Sequence, residues 1–172
     1  MKNAISFFLM WLGLIIQSTF FQVPPINVLQ PNLVLVVLVM VALTRGAKAA
    51  LILGVAIGFI QDVDYGSFLG LNAFTYGVIG YFAAASFAQF LHKNVALTLL
   101  VTVVCTFAQD WITYGMTRLF EITAYSWHAV LSFTLEQMVI NGISLLLLYP
   151  LLLRWLMDKA RNRYSHSESD PV

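Results

Sequence analysis

The fold class this sequence predicts is an all-α polytopic membrane protein, and three observations predict it. Sixty per cent of the 172 residues are hydrophobic and ten per cent charged, with a mean hydropathy of +0.83, beyond the range of ordinary soluble domains. Six apolar segments follow one another, at about residues 4–21, 33–43, 49–60, 69–91, 95–117 and 130–156. If all six cross a membrane from a cytoplasmic N-terminus, eight of the nine Lys and Arg residues fall on the cytoplasmic side. They are Lys2, Arg45, Lys48, Lys93, Arg154, Lys159, Arg161 and Arg163; only Arg118 lies outside, with Glu121 close by. That bias orients the protein with both termini inside (N-in/C-in). The formal charge of +1 gives no sign of nucleic-acid binding.

The first segment has one lysine before it and no small-x-small cleavage site after it, so it reads as a retained span rather than a removed signal. Pro24, Pro25 and Pro31 then stiffen an uncharged outer loop, and Asn32 is placed to cap the second helix. The second and third segments offer roughly a dozen apolar residues each, about 18 Å of helix, against about 30 Å of hydrocarbon. They span if Asn32, Arg45, Lys48 and Gln61 snorkel or are buried against protein. The alternative is a re-entrant pair, which leaves Arg45 and Lys48 on the outside or buried. The first and the last three segments are long enough without help. Residues 1–160 thus form a single integral membrane domain, and residues 161–172 form a polar cytoplasmic tail too hydrophilic to pack.

Small residues recur in the third and fourth segments. Gly46, Ala50, Gly54 and Gly58 stand four apart, and Gly70, Ala73, Gly77, Gly80 and Ala84 alternate steps of three and four. Such stripes let another helix approach closely. Gly54, Gly58, Gly70, Ala73, Gly77, Gly80 and Ala84 are therefore a candidate helix-docking interface, either inside the bundle or toward a partner. Between the stripes lies Asp62-Val63-Asp64-Tyr65-Gly66. Two carboxylates in an Asp-x-Asp pattern can serve metal or acid–base chemistry, but no further ligand stands nearby, and Asp and Gly suit a turn on their own account.

In the fifth segment Thr98, Thr102, Thr106, Asp110, Thr113 and Thr117 fall on one side. Threonines bond readily to their own helix, but an aspartate within a span must face protein or water. Glu136 of the last segment is its expected companion at similar depth, with Gln109, Gln137 and Asn141 completing the group. Asp110, Glu136, Gln137 and Asn141 form a candidate buried polar cluster. Two carboxylates there can share a proton or hold a solute; the structural alternative is interhelical hydrogen bonding or an interface with another membrane protein. Cys105 reads as a small buried apolar residue. His92, His128 and His166 lack ligand spacing. The sequence therefore predicts no metal, no cofactor and no catalytic constellation.

The order Pro31-Asn32-Leu33, Gly54, Gly58-Phe59-Ile60-Gln61-Asp62, Gly66, Gly70-Leu71-Asn72-Ala73 and Gly80-Tyr81 resembles the MreD family of rod shape-determining membrane proteins. The resemblance covers about residues 31 to 81 by motif and the rest by length and hydropathy; family members often carry Asp where Asn32 stands. It implies a non-enzymatic scaffold in the bacterial cytoplasmic membrane. That scaffold would work with the bitopic protein MreC and connect cytoplasmic MreB filaments to the glycosyltransferase RodA and its partner transpeptidase. It also implies an architecture similar to the substrate-binding subunits of energy-coupling-factor vitamin transporters.

The chief rival is a small-molecule (vitamin-like) binding subunit of a membrane transporter. It predicts an outward polar pocket near Asp110 and Glu136 closed by the loop 22–30. The first segment carries only Ala4 where those subunits show an Ala-x-x-x-Ala docking pattern, which counts against it. A membrane enzyme acting on lipid-linked precursors would have only Asp62 and Asp64 to use.

Overall fold

The computed structural model describes residues 2–21, 30–87 and 94–157. The tail from Arg161, most of the proline loop, His92, His166 and the basic residues Lys93, Lys159, Arg161 and Arg163 lie outside the described residues. Among the described residues the chain forms helices and no strand: α1 (Lys2–Thr19), α2 (Leu33–Arg45), α3 (Ala47–Tyr65), α4 (Leu71–Phe87), α5 (Val95–Leu119) and α6 (Trp127–Met157).

The bundle is organised around α2. Every residue from Leu33 to Leu43 is buried, and α2 contacts each of the other five helices. A helix apolar on all sides is stable only in such a setting. Its 13 residues amount to about 20 Å, so its N-terminal end lies among the neighbouring helices instead of reaching past them. Gly46 alone joins α2 to α3, at φ +86°, a backbone conformation that glycine adopts without strain.

The outer faces of α5 and α6 are apolar, and polar side chains are buried beside the apolar core. On α5, Leu100, Val104 and Phe107 are exposed while Thr98, Thr102, Thr106 and Gln109 are buried. On α6, Leu135, Val139, Ile143, Leu146, Leu147 and Leu151 form one exposed stripe. An exterior this apolar matches lipid as the surrounding solvent. Two helices, Val95–Leu119 and Trp127–Leu156, are long and apolar enough to cross a membrane. The threonine stripe of α5 bonds mainly to its own helix: Thr102 Oγ1 donates to Thr98 O, Thr106 Oγ1 to Thr102 O and Thr117 Oγ1 to Thr113 O, each at 2.9 Å.

The glycine stripes of α3 and α4 meet each other. A Cβ at Gly54 would lie 2.7 Å from Tyr76 O, one at Gly58 2.5 Å from Asn72 O, one at Gly77 2.7 Å from Val55 Cγ2, and one at Gly80 3.0 Å from Ala50 O. The pairs run in opposite order along the two helices, so α3 and α4 are an antiparallel hairpin in backbone contact. Ala73 and Ala84 are buried. Gly70 has open space around it and is needed instead for its φ of +99° at the entry to α4.

The acidic segment differs from a free turn. Helix α3 runs on past Ile60 to Tyr65, so Asp62 and Asp64 belong to its last turn. Asp64 is exposed; Asp62 is 4% exposed. The Asp62 carboxylate accepts at Oδ2 from Gly70 N and Ala73 N (both 3.0 Å), and at Oδ1 from Asn72 N and Asn72 Nδ2 (both 2.9 Å). It caps the next helix, satisfying amide groups that no earlier turn of α4 can reach and placing negative charge at the positive end of its dipole.

Candidate functional site

Asn32 is the residue about which the polar interior is built. Its Oδ1 accepts from Leu35 N at 3.0 Å, the N-cap bond expected of an asparagine there. The same oxygen accepts from the Tyr76 hydroxyl of α4 at 3.0 Å. Its Nδ2 donates to Gln109 Oε1 of α5 at 2.9 Å, and its backbone N–H donates to Asn141 Oδ1 of α6 at 2.8 Å. The Tyr76 hydroxyl also lies 3.2 Å from Gln61 Oε1 of α3. Asn141 Nδ2 donates on to Thr106 Oγ1 at 3.1 Å, and Gln17 Oε1 of α1 accepts from Val34 N at 3.3 Å. One capping residue and its neighbours thus tie all six helices at one level. The exposed-donor problem of a buried helix start is solved by side chains from elsewhere in the chain.

Beside these residues lies a cavity of about 210 Å³. Its polar walls are Gln17, Gln30, Asn32, Gln61, Gln109, Asp110 and Gln137, with Phe21 and Phe133 as apolar faces. Gln137 Nε2 donates to Gln30 O at 2.8 Å and so holds α6 to the segment before α2. A second cavity of about 620 Å³ shares Asp110 and Phe133 with the first and is walled further by Thr113, Tyr114, Tyr125 and Val130.

The structure divides the expected polar cluster. Asn141 is fully buried and joins Asn32; Gln137 is buried beside the cavity; Asp110 lines both cavities. Glu136 is exposed and makes none of these contacts. Thr134, Gln137 and Asn141 occupy the inward face of α6, at steps of three and four, and Glu136 is turned about 100° from Gln137. Beside Asp110 stands Thr134, not a second carboxylate. Asp110 Oδ2 and Thr134 Oγ1 are both buried, and the Thr134 hydroxyl is the polar neighbour of the carboxylate.

Sequence reasoning assigned Asn32 its cap and missed its three other bonds; it also missed Gln17 and Tyr76. A buried helix start demands acceptors for its first N–H groups, and that demand was the available signal. The described residues hold no group of three or more His, Cys, Asp or Glu placed to bind a metal ion. The geometry can hold helices together and can offer hydrogen bonds and one carboxylate to a small guest.

A family model described as rod shape-determining protein MreD matches residues 1–159. The chain belongs to the MreD family. A curated relative, the rod shape-determining protein MreD of Bacillus subtilis (strain 168), is 29% identical over 93 residues, 54% of this chain and 54% of that protein. The match therefore spans about half the length of that relative. No solved structure matches the chain. The family's description is rod shape determination, and the chain has two helices long and apolar enough to cross a membrane. Some of the residues that carry the sequence resemblance stand in the hub and the hairpin. Asn32 and Gln61 line the cavity, Gly58 packs on Asn72, and Asp62 caps α4.

Proposed function

We propose that this chain is a non-enzymatic membrane scaffold subunit of the rod (elongation) complex. In this reading it couples an MreC-like bitopic protein and cytoplasmic MreB-like filaments to peptidoglycan synthesis by RodA and its partner transpeptidase, directly or indirectly, and so to cell shape. It sits in the bacterial cytoplasmic membrane as a multi-pass protein with six spans and both termini inside. The observation that carries the reading is the MreD match over residues 1–159. A second observation supports it: the Asp62 carboxylate of the Asp-x-Asp pair is already held by four donors in helix capping.

The glycine faces at Gly54, Gly58, Gly77 and Gly80 are occupied within the hairpin. A partner helix therefore docks on the apolar exterior, for which the exposed stripes of α5 and α6 are candidates. Affinity purification from native membranes tests the reading. Co-purification of a bitopic protein with an extracytoplasmic coiled coil is expected; recovery of an ATPase module or a stoichiometric vitamin would sink it. The cavity beside Asp110 is the one observation that favours the second reading, a small-molecule binding subunit of a transporter.

A further inference from the structure

We infer that the cavity beside Asp110 binds a small polar molecule carrying a protonated nitrogen, an alkylammonium or guanidinium group, with the Asp110 carboxylate as counter-charge. The inference stands independently of the scaffold reading. The cavity, about 210 Å³, is several times the roughly 30 Å³ share of one water in the liquid. Asp110 Oδ2 is buried with the neutral Thr134 hydroxyl beside it, and among the described residues lining the cavity none is Lys, Arg or His, so the carboxylate meets no cationic donor. A carboxylate oxygen left so is costly, and a cationic N–H donor is the group that relieves it.

The amides beside it are half committed. Asn32 is fixed by the backbone amide of Leu35, so it presents Nδ2 to Gln109 and holds Gln109 by Oε1. Gln109 Nε2 is then the spare donor on the cavity wall. Gln137 spends Nε2 on Gln30 O, which leaves Oε1 as a spare acceptor. A guest with a cationic N–H group and one hydrogen-bond acceptor meets all three. An anion would meet Asp110 unfavourably, and an apolar guest would strand the amides. Phe21 and Phe133 add aromatic faces suited to a planar cation. Because Asp110 and Phe133 also line the larger cavity, a guest anchored there has room for a longer substituent.

The test uses the full chain in lipid nanodiscs, titrated with methylguanidinium and with its neutral isostere N-methylurea. Thermal unfolding and saturation-transfer NMR are the readouts. Methylguanidinium is expected to raise the unfolding midpoint saturably, as a ligand of the native state must. N-methylurea should bind at least about tenfold more weakly. Asp110→Asn should weaken methylguanidinium binding by about tenfold or more, Gln137→Ala should weaken it several-fold, and the exposed Glu136→Gln should leave it unchanged. Unfolding without the probe shows whether each variant is folded, and Gln137→Ala carries the test if Asp110→Asn is not. The proposal is overturned if folded wild type gives no saturable response, if N-methylurea binds as well, or if folded Asp110→Asn responds like wild type. Absence of an MreC-like partner in native pull-downs bears on the scaffold reading alone.

Discussion

Asn32 donates its backbone N–H to Asn141 Oδ1 at 2.8 Å, joining the start of the central helix to the middle of α6 across 109 positions of sequence. The residue that begins α2 is thus held by the last helix of the bundle, and its side chain is held by α4 and α5.

Asn32→Ala removes an N-cap and the acceptor for Tyr76, and strands the Gln109 carbonyl. The cap alone is worth about 1 kcal/mol, and each stranded buried group about 1–3 kcal/mol. Asn32→Ala should therefore lower stability by about 2–4 kcal/mol. Asn32→Asp keeps both acceptor roles, and Gln109 can rotate its amide to donate to the new carboxylate. It should retain most of the stability. Urea or SDS titration in micelles measures both.

Asp62→Asn should cost nearly as much as Asp62→Ala, about 2–3 kcal/mol. An asparagine turns an NH₂ group toward two of the four donors now served by the carboxylate. Asp64→Asn, on an exposed side chain, should be near neutral in unfolding and in rod-shape complementation. Equal loss of cell shape in both variants, with folding intact, would favour the enzymatic reading.

Alanine substitution should sort the glycines. Gly58→Ala drives a Cβ into backbone atoms of Asn72 and Ala73, which cannot swing aside, at a cost of about 1–3 kcal/mol or more. Gly115 meets nothing within 4 Å, so Gly115→Ala should be neutral or stabilising by up to about 1 kcal/mol through helix propensity. Gly70→Ala meets no atoms but is strained by its φ of +99°. Thermal unfolding midpoints should rank Gly115→Ala above Gly70→Ala and Gly58→Ala.

Asp110 and Glu136 should be energetically independent. A double-mutant cycle with Asp110→Asn and Glu136→Gln is expected to give a coupling within about 0.5 kcal/mol, as for separated sites. A coupling well above that value would place the two carboxylates in one network.

Local chemistry was legible in the sequence and long-range chemistry was not. Asn32 announced a helix start because its cap bond spans three residues, whereas its bonds to Tyr76, Gln109 and Asn141 span 44 to 109. The glycine ladders announced close helix approach, but spacing on one helix does not name the helix that fills it. Asp62 was legible as a structural residue, though its work is done on α4 rather than within its own turn. Matching Asp110 with Glu136 by depth fixed position along α6 and left its rotation open. One residue of rotation separates exposed Glu136 from buried Gln137.

The burial of α2 also sets an order of assembly. Among the described helices it follows α1 in the chain and is the one wrapped by all the others. During synthesis its first turn must wait for the Tyr76 hydroxyl, the Gln109 carbonyl and the Asn141 amide, which emerge in that order. A chain halted before Asn141 leaves the backbone N–H of Asn32 without its acceptor. The hub of side chains around Asn32 can therefore close only once α6 has been made and has joined the bundle.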